Sequence, residues 1–324
     1  MRVRVKVALA FLLMAGSSFG TGLTIAQGYP VRPIRLIVPF PAGGVTDIVA
    51  RIIAQPVAQQ LGQSIIIDNR PGADGMIGAD IVMKAAPDGY TLFFATTTSM
   101  SSVPTTRKNP PYHPVRDFTA ISDIGRNTFF MYVHPSLPVR TVPELISHLR
   151  ANPGKLNYAT VSGAPMLATA QLLSLYKLDA ARIPYKGEAP AIPDLVAGRV
   201  QFGLMTAGPA YAQAREGKLR VLATLTPKRS VIAPDVPTMD EAGVKGVSIT
   251  SWQGLFGPAR MPAPVIDRIS REFRAVLSRP DIVDTLGRQG VIARGSTPAE
   301  LEAFVREQLE AWSRALREAG IPLE

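Results

Sequence analysis

The chain has 324 residues, 46% of them hydrophobic, which is enough for two domains of ordinary size. It contains no cysteine, and this excludes a structural disulfide, a thiolate nucleophile and a cysteine-based zinc site. Its formal charge of +10 comes from basic residues spread along the chain, whereas nucleic-acid binders cluster such residues with aromatic side chains. We therefore expect no nucleic-acid partner and an attraction for small anions. His113, His134 and His148 lack metal-ligand spacing, so no metal site is predicted.

The first 26 residues have the pattern of a secretory signal peptide. Arg2, Arg4 and Lys6 precede the apolar run VALAFLLMAG, which is too short to cross a bilayer as a helix of the mature protein. The small residue Ala26 ahead of Gln27 suits cleavage by signal peptidase, and an uncleaved membrane anchor is the alternative. We predict an exported protein, most simply of a bacterial periplasm.

From residue 34 onward, predicted strands and helices alternate. The predicted strands are 34–40, 64–68 and 90–96, and the helices between them are 47–62 and 75–86. Pro56 is expected to kink or split the first helix. Alternation of this kind predicts a parallel sheet with crossover helices.

A loop rich in Pro, Ser and Thr, residues 97–114, precedes a second unit of the same kind. Its predicted strands are 129–134, 156–160, 200–205 and 218–225, with a short strand within 180–187, and its predicted helices are 141–154, 166–178 and 189–198. The C-terminal part is predicted to be helical over 263–278 and 297–320. The last helix has an apolar stripe from Leu301 to Leu316 that must pack on another element.

Six segments, in this order, carry a family resemblance: YPVRPIRLIVPFPAGGVTDIVAR, IDNRPGADGMIGAD, APDGYTLFF, RIPYKGEAPAIPDLVAGRV, GKLRVLA and PDVPTMDEAGVKG. With them the chain resembles the Bug-type extracytoplasmic solute receptors, the substrate-binding component of tripartite tricarboxylate transporters. The resemblance implies an α/β, two-lobed periplasmic-binding-protein-like fold, each lobe a mixed sheet with flanking helices. We expect residues 27–125 plus 250–324 in the first lobe and 126–249 in the second. The family's usual ligand is a small carboxylate, and the ligand of this chain stays open.

The turn after the first predicted strand holds the first candidate ligand-binding residues, which are Phe40, Ala42, Gly43, Gly44, Thr46 and Asp47. Two glycines where a strand meets a helix form either a tight turn capped by Thr46 or Asp47, or an anion site in which free N–H groups meet a carboxylate. The resemblance favours the anion site. For Asp47 itself we favour a helix cap over contact with a cationic ligand group.

Polar loops after later strands supply the remaining candidates. Hydroxyls at the carboxyl end of a parallel strand point into the crevice of an open sheet, or they belong to a merely polar loop. The candidates in such loops are Thr97, Thr98 and Ser99 after the third strand, then Thr160, Ser162, Gly163 and Tyr185 in the second unit.

Two methionines depart from the family's pattern. Met166 stands where the family has histidine, and Met205, also a candidate contact, replaces an acidic or polar residue. These departures favour a ligand with an apolar or aromatic end, although methionine at such places more often belongs to the core.

Matches to enzyme motifs occur in the wrong context. GSSFG lies in the signal peptide, SLYK lies inside an amphipathic helix, and GADGMIG lacks the glycine spacing of a dinucleotide site. We therefore predict a binding protein, not an enzyme, with no cofactor: a monomer that delivers a small organic carboxylate to a membrane permease. A receptor that presents the ligand to a sensor kinase is the alternative.

Overall fold

The structure, a computed structural model, describes residues 28–161, 163–185, 187–226, 228–247, 251–318 and 320–323. The predicted signal peptide and the candidate Ser162 lie outside this part of the chain. None of the helices that it describes is long and apolar enough to cross a membrane.

Strands and helices alternate through most of the described chain. The strands are β1 (Ile34–Val38), β2 (Ile65–Asn69), β3 (Thr91–Thr96), β4 (Phe118–Asn127), β5 (Phe129–Val133), β6 (Asn157–Thr160), β7 (Ala181–Pro184), β8 (Phe202–Thr206), β9 (Arg220–Thr224), β10 (Ser251–Pro258) and β11 (Val291–Ala293). The helices are α1 (Val45–Leu61), α2 (Met76–Met83), α3 (Val103–Thr106), α4 (Val142–Ala151), α5 (Ala164–Leu175), α6 (Glu188–Val196), α7 (Gly208–Arg215), α8 (Ala263–Leu277), α9 (Pro280–Arg288) and α10 (Pro298–Glu318).

The first sheet has the strand order β11-β4-β10-β3-β1-β2. β1 pairs in parallel with β2 and β3, whereas β10 is antiparallel to β3 and β4. Leu36 and Val38 pack with α1, α8 and α9 on one face, and Ile37 packs with α2 and α10 on the other. Because helices cover both faces, β1 is a continuous apolar run rather than an alternating one.

The local sequence sets the bounds of α1. Every fourth residue from Val49 to Leu61 is buried, which gives the helix one apolar face toward the sheet. The helix ends at Gly62, whose φ of 70° lies in the left-handed region that glycine adopts readily. Pro56 lies inside one uninterrupted helix, so the expected split does not occur.

The second sheet has the strand order β7-β6-β8-β5-β9. β6 is parallel to β7 and β8, and β5 is antiparallel to β8 and β9. Helices α4 and α5 cover one face and α6 and α7 the other. We call the first sheet with its helices the first lobe, and the second sheet with its helices the second lobe. The predicted α/β fold of two lobes, each a mixed sheet with flanking helices, is confirmed.

The last helix connects the lobes. Thr297 accepts a hydrogen bond from the N–H of Glu300, whose carboxylate accepts one from the N–H of Thr297, so a capping box begins α10. Leu301 then packs in a cluster of the first lobe, while Trp312 and Leu316 pack in the core of the second. The predicted apolar stripe of this helix is therefore divided between the two lobes.

Several elements differ from the sequence prediction. The strands β4, β10 and β11 and the helices α7 and α9 were not predicted. Part of the predicted loop 97–114 is helical, because a π-helical turn over Thr98–Ser102 leads directly into α3. This turn fixes the direction of the hydroxyl groups that follow β3.

Candidate functional site

Three loops of the first lobe meet at the carboxyl end of its parallel strands. β1 and β3 are parallel neighbours, so the chain leaves both at the same edge of the sheet. Gly75, at the start of α2, joins these loops: a Cβ built on it would lie 3.2 Å from Pro39 Cβ and 3.2 Å from Ser99 Cβ. Glycine is needed there for this close approach, and also for its φ of +90°.

The turn between β1 and α1 presents bare backbone to solvent. Ala42, Gly43 and Gly44 are exposed, and Gly43 has a φ of +84° that requires glycine. Gly44 is the N-cap of α1 and supplies no side-chain cap, so the N–H groups of Val45 and Thr46 have no acceptor inside the helix. Phe40 is half-buried, and its carbonyl accepts a hydrogen bond from Asn69.

The Asp47 carboxylate faces its own loop. It is 2% exposed and accepts hydrogen bonds from the Gly43 N–H (2.9 Å), Arg51 (3.0 Å) and Asn69 (3.0 Å). Burial alone would raise the pKa of Asp47, but the bonds from Arg51, Gly43 and Asn69 outweigh it and lower that pKa. Asp47 thus fastens the glycine turn to the start of α1, instead of pointing to a ligand.

Of the three candidate hydroxyls after β3, two are turned into the protein. Thr97 Oγ1 accepts from the Trp252 N–H (2.6 Å) and donates to the Trp252 carbonyl (3.3 Å), which ties β3 to β10. Ser99 Oγ bonds the N–H and the carbonyl of Thr96, both at 3.1 Å. Thr98 is half-exposed and faces the second lobe, since a Cβ built on Gly163 would lie 2.7 Å from Thr98 Oγ1. Among these three side chains, Thr98 is therefore the one whose hydroxyl is left for a ligand, while Thr97 and Ser99 hold the loop in place.

The candidate side chains of the second lobe are also mostly engaged within the protein. Met205 is 1% exposed and packs in the core with Phe130 and Ala159, so its side chain does not reach the cleft. Burial and a hydrogen bond to Asp194 (2.7 Å) raise the pKa of Tyr185 to about 12 and occupy its hydroxyl. Thr160 Oγ1 accepts a hydrogen bond from Arg182 Nε at 3.1 Å.

A cavity of about 210 Å³ lies between the two lobes. Its lining from the first lobe is Asp74, Ser102, Val103, Thr106 and Arg107, and from the second Thr160, Val161, Gly163, Met166, Arg182, Pro184 and Tyr185. The glycine turn from Phe40 to Asp47 lies outside this lining.

Sequence reasoning missed the two arginines of the cavity. Arg107 follows α3, and its buried Nε has no hydrogen-bond partner among the described residues. Arg182, on β7, donates to Thr160 Oγ1 and to Met166 Sδ (3.4 Å). The sequence signal was weak: Arg107 stands beside Lys108 in a polar segment, Arg182 stands alone in a short strand, and only the packing of the lobes brings both arginines to one cavity. No group of three metal-ligating side chains occurs in the described chain.

Comparison with known proteins connects this architecture to one family. The family model for the tripartite tricarboxylate transporter family receptor matches residues 49–321. The protein BugT of Bordetella pertussis is 32% identical over 302 residues, which cover 92% of this chain and 93% of BugT. A protein from the tcbD-tcbE intergenic region of Pseudomonas sp. strain P51 is 31% identical over 313 residues, 96% of this chain and 93% of that protein.

Solved structures of similar sequence have the same fold. The Rhodopseudomonas palustris protein Rpa4515, solved with adipate, superimposes with a TM-score of 0.83 at 32% identity and covers 91% of this chain and 99% of its own. MatC from the same organism, with bound malate, gives a TM-score of 0.78 at 31% identity over 89% and 100% of the two chains.

Proposed function

Because the chain belongs to the tripartite tricarboxylate transporter receptor family, we propose that it captures a small organic carboxylate between its two lobes. The family match confirms both the resemblance noted in the sequence and the prediction of a binding protein rather than an enzyme. The observation that carries the proposal is the interlobe cavity, which is small and is lined by two arginines that make no ion pair with any described residue.

The proposed ligand chemistry uses donors from both lobes. On the first lobe, Arg107 lines the cavity and the Thr98 hydroxyl lies beside it, against Gly163. The free N–H groups at the start of α1 offer a second place for a carboxylate oxygen. On the second lobe, Arg182 and the backbone beside Gly163 face the same space. Phe40, Ala42, Gly43, Gly44 and Thr46 remain candidates through their exposed or half-buried positions in the turn.

Ligands of the similar structures support the carboxylate class. The two Rhodopseudomonas palustris proteins hold adipate and malate, which are both small dicarboxylates. Met205 lies in the core, so of the two methionines that favoured an apolar ligand only Met166 remains at the cavity. The cavity therefore offers one methionine, not two, to an apolar or aromatic ligand end.

Export and delivery complete the proposal. In this proposal residues 1–26 are a signal peptide. Lobe 1 comprises residues 27–125 plus 250–324, and lobe 2 comprises residues 126–249. The closed monomer docks on a membrane permease. Cell fractionation and N-terminal sequencing test the export: a periplasmic protein that begins at Gln27 supports it, and a membrane-bound chain that retains Met1 contradicts it. Deletion of the permease separates delivery to a transporter from the sensor-kinase alternative. If this protein delivers its ligand to the permease, the deletion abolishes carboxylate uptake and leaves kinase signalling unchanged.

A thermal-shift titration tests the binding function. The protein is refolded free of bound ligand and screened with dicarboxylates, tricarboxylates, acidic amino acids and aromatic acids. A ligand at about 100 times its Kd stabilises the native state by about 2.7 kcal/mol, which gives a clear rise in Tm. A panel in which no carboxylate raises Tm contradicts the proposal.

A further inference from the structure

The two arginines of the interlobe cavity come from opposite lobes. Arg107 follows α3 in the first lobe, and Arg182 lies on β7 in the second. Among the described residues, neither guanidinium has a carboxylate oxygen within 4.0 Å. Arg199 of the second lobe, by contrast, is paired with Asp194.

The surroundings of the arginines leave room for an anion on each side. Arg107 Nε is buried without an acceptor, and a buried donor without a partner is unfavourable. Arg182 bonds only the neutral acceptors Thr160 Oγ1 and Met166 Sδ. Asp74 is the one acidic residue of the described lining, and it forms no ion pair with either arginine. The cavity therefore has an excess of positive charge.

The two positive charges lie at one cavity, on opposite lobes. Like charges repel more strongly as water leaves the space between them, because the effective dielectric constant falls. A monocarboxylate supplies one negative charge and satisfies one arginine. A dicarboxylate supplies one for each lobe and replaces the repulsion by two charge-assisted hydrogen bonds.

We propose that Arg107 and Arg182 form a two-sided clamp that resists lobe closure until a ligand with two anionic groups bridges them. The clamp rests on the proposed receptor function and adds to it the ligand class and the control of closure. It makes dicarboxylates the preferred ligands over monocarboxylates of the same length. It also makes the closure of the ligand-free protein depend on ionic strength.

Isothermal titration calorimetry tests the selectivity. The probes are succinate, glutarate and adipate, each compared with the monocarboxylate of equal chain length, against wild type, Arg182→Gln and Arg182→Lys. We expect Arg182→Gln to weaken dicarboxylate binding about tenfold or more and to leave monocarboxylate binding nearly unchanged, with partial recovery in Arg182→Lys. Arg150→Gln, an exposed change on α4 of the same lobe, is the matched control and should bind as wild type.

A second measurement needs no ligand. The chain has no cysteine, so Gln59→Cys on α1 and Ser147→Cys on α4, both exposed, place one spin label on each lobe. Raising the salt from about 0.01 M to about 1 M shortens the screening length from about 30 Å to about 3 Å. The distance between the labels, measured by pulsed electron paramagnetic resonance, should shorten with salt in wild type and change less in Arg182→Gln.

The two measurements separate the clamp from the receptor function. Equal binding of dicarboxylates by wild type and Arg182→Gln, or identical salt responses of the two, overturns the clamp and leaves the receptor function standing. If no carboxylate binds wild type but salt closes it through Arg182, the electrostatic clamp holds and the proposed receptor function fails.

Discussion

Gly163 of the second lobe approaches Thr98 of the first lobe beside the cavity, and Gly163→Ala tests that contact. A Cβ at this position would lie 2.7 Å from Thr98 Oγ1, so Thr98 must turn away when the lobes are closed. A side chain forced about 30° from its rotamer costs about 0.5–1.5 kcal/mol. Because this clash is between the two lobes, it opposes the arrangement that holds a ligand between them, and Gly163→Ala should weaken carboxylate binding by about two- to twelvefold.

A second effect of the same substitution must be kept apart from the first. Gly163 has a φ of +85°, and an alanine there strains the backbone in open and closed states alike, which lowers Tm by itself. Gly217→Ala is the matched control, because Gly217 has a φ of +74° in the second lobe with no atom within 4 Å of its built Cβ. This control should lower Tm and leave Kd unchanged.

A double-mutant cycle with Thr98→Ala isolates the clash. In that background the hydroxyl is absent, so Gly163→Ala should have little further effect on Kd. Calorimetry with the tightest carboxylate of the screen gives Kd for the four proteins, and differential scanning fluorimetry gives Tm. Wild-type affinity in Gly163→Ala, or an equal loss of affinity with and without Thr98, would refute the proposed approach of the two loops.

Three further outcomes follow from side chains that face the protein interior, two at the site and one on α10. Thr97→Val leaves the Trp252 N–H without its acceptor, so the free energy of unfolding in urea should fall by about 1–3 kcal/mol. Calorimetry should find ligand affinity unchanged, and weaker binding at wild-type stability would contradict this. The folded-state pKa of Asp47 is lowered, so its stabilising contribution is complete above the unfolded pKa of about 3.9 and is lost as the pH falls through the folded value. Asp47→Asn should therefore flatten the fall of stability with acid below about pH 5 and leave the slope at higher pH unchanged, and an unaltered acid limb would count against the role. Trp312→Ala removes a fully buried side chain where α10 packs on the second lobe and should cost about 3–5 kcal/mol in the same assay, whereas a loss below about 1 kcal/mol would show that this contact is dispensable.

Local periodicity predicted two kinds of element: helices with one buried apolar face, and strands that are apolar and buried along their whole length. β1 and α10 are examples, and in both the bounds agree within two residues. β4 and β10 escaped prediction because they mix apolar residues with Gly, Ser, Asp and Gln, although both are almost entirely buried. Both strands are buried because they pair with strands that are distant in the sequence, and a local sequence pattern carries no information about such pairing.

The site likewise has parts that the local sequence predicts and parts that only tertiary packing determines. The glycine turn was predictable because Gly43 must have a positive φ at a strand-to-helix junction. Thr97 and Thr98 look alike in the sequence, but the π-helical turn directs the first into the sheet and the second toward the other lobe. Arg107 and Arg182 are 75 positions apart, and only the packing of the lobes brings them to one cavity.

The central claim is that a small carboxylate is held between the lobes, in contact with both. A crystal structure of the protein with the tightest-binding carboxylate of the thermal-shift screen tests it directly. The account predicts the ligand in the interlobe cavity, with carboxylate oxygens within hydrogen-bond distance of donors from the first lobe and from the second. A ligand bound to one lobe alone, or on the outer surface with the cavity filled by water, would contradict it.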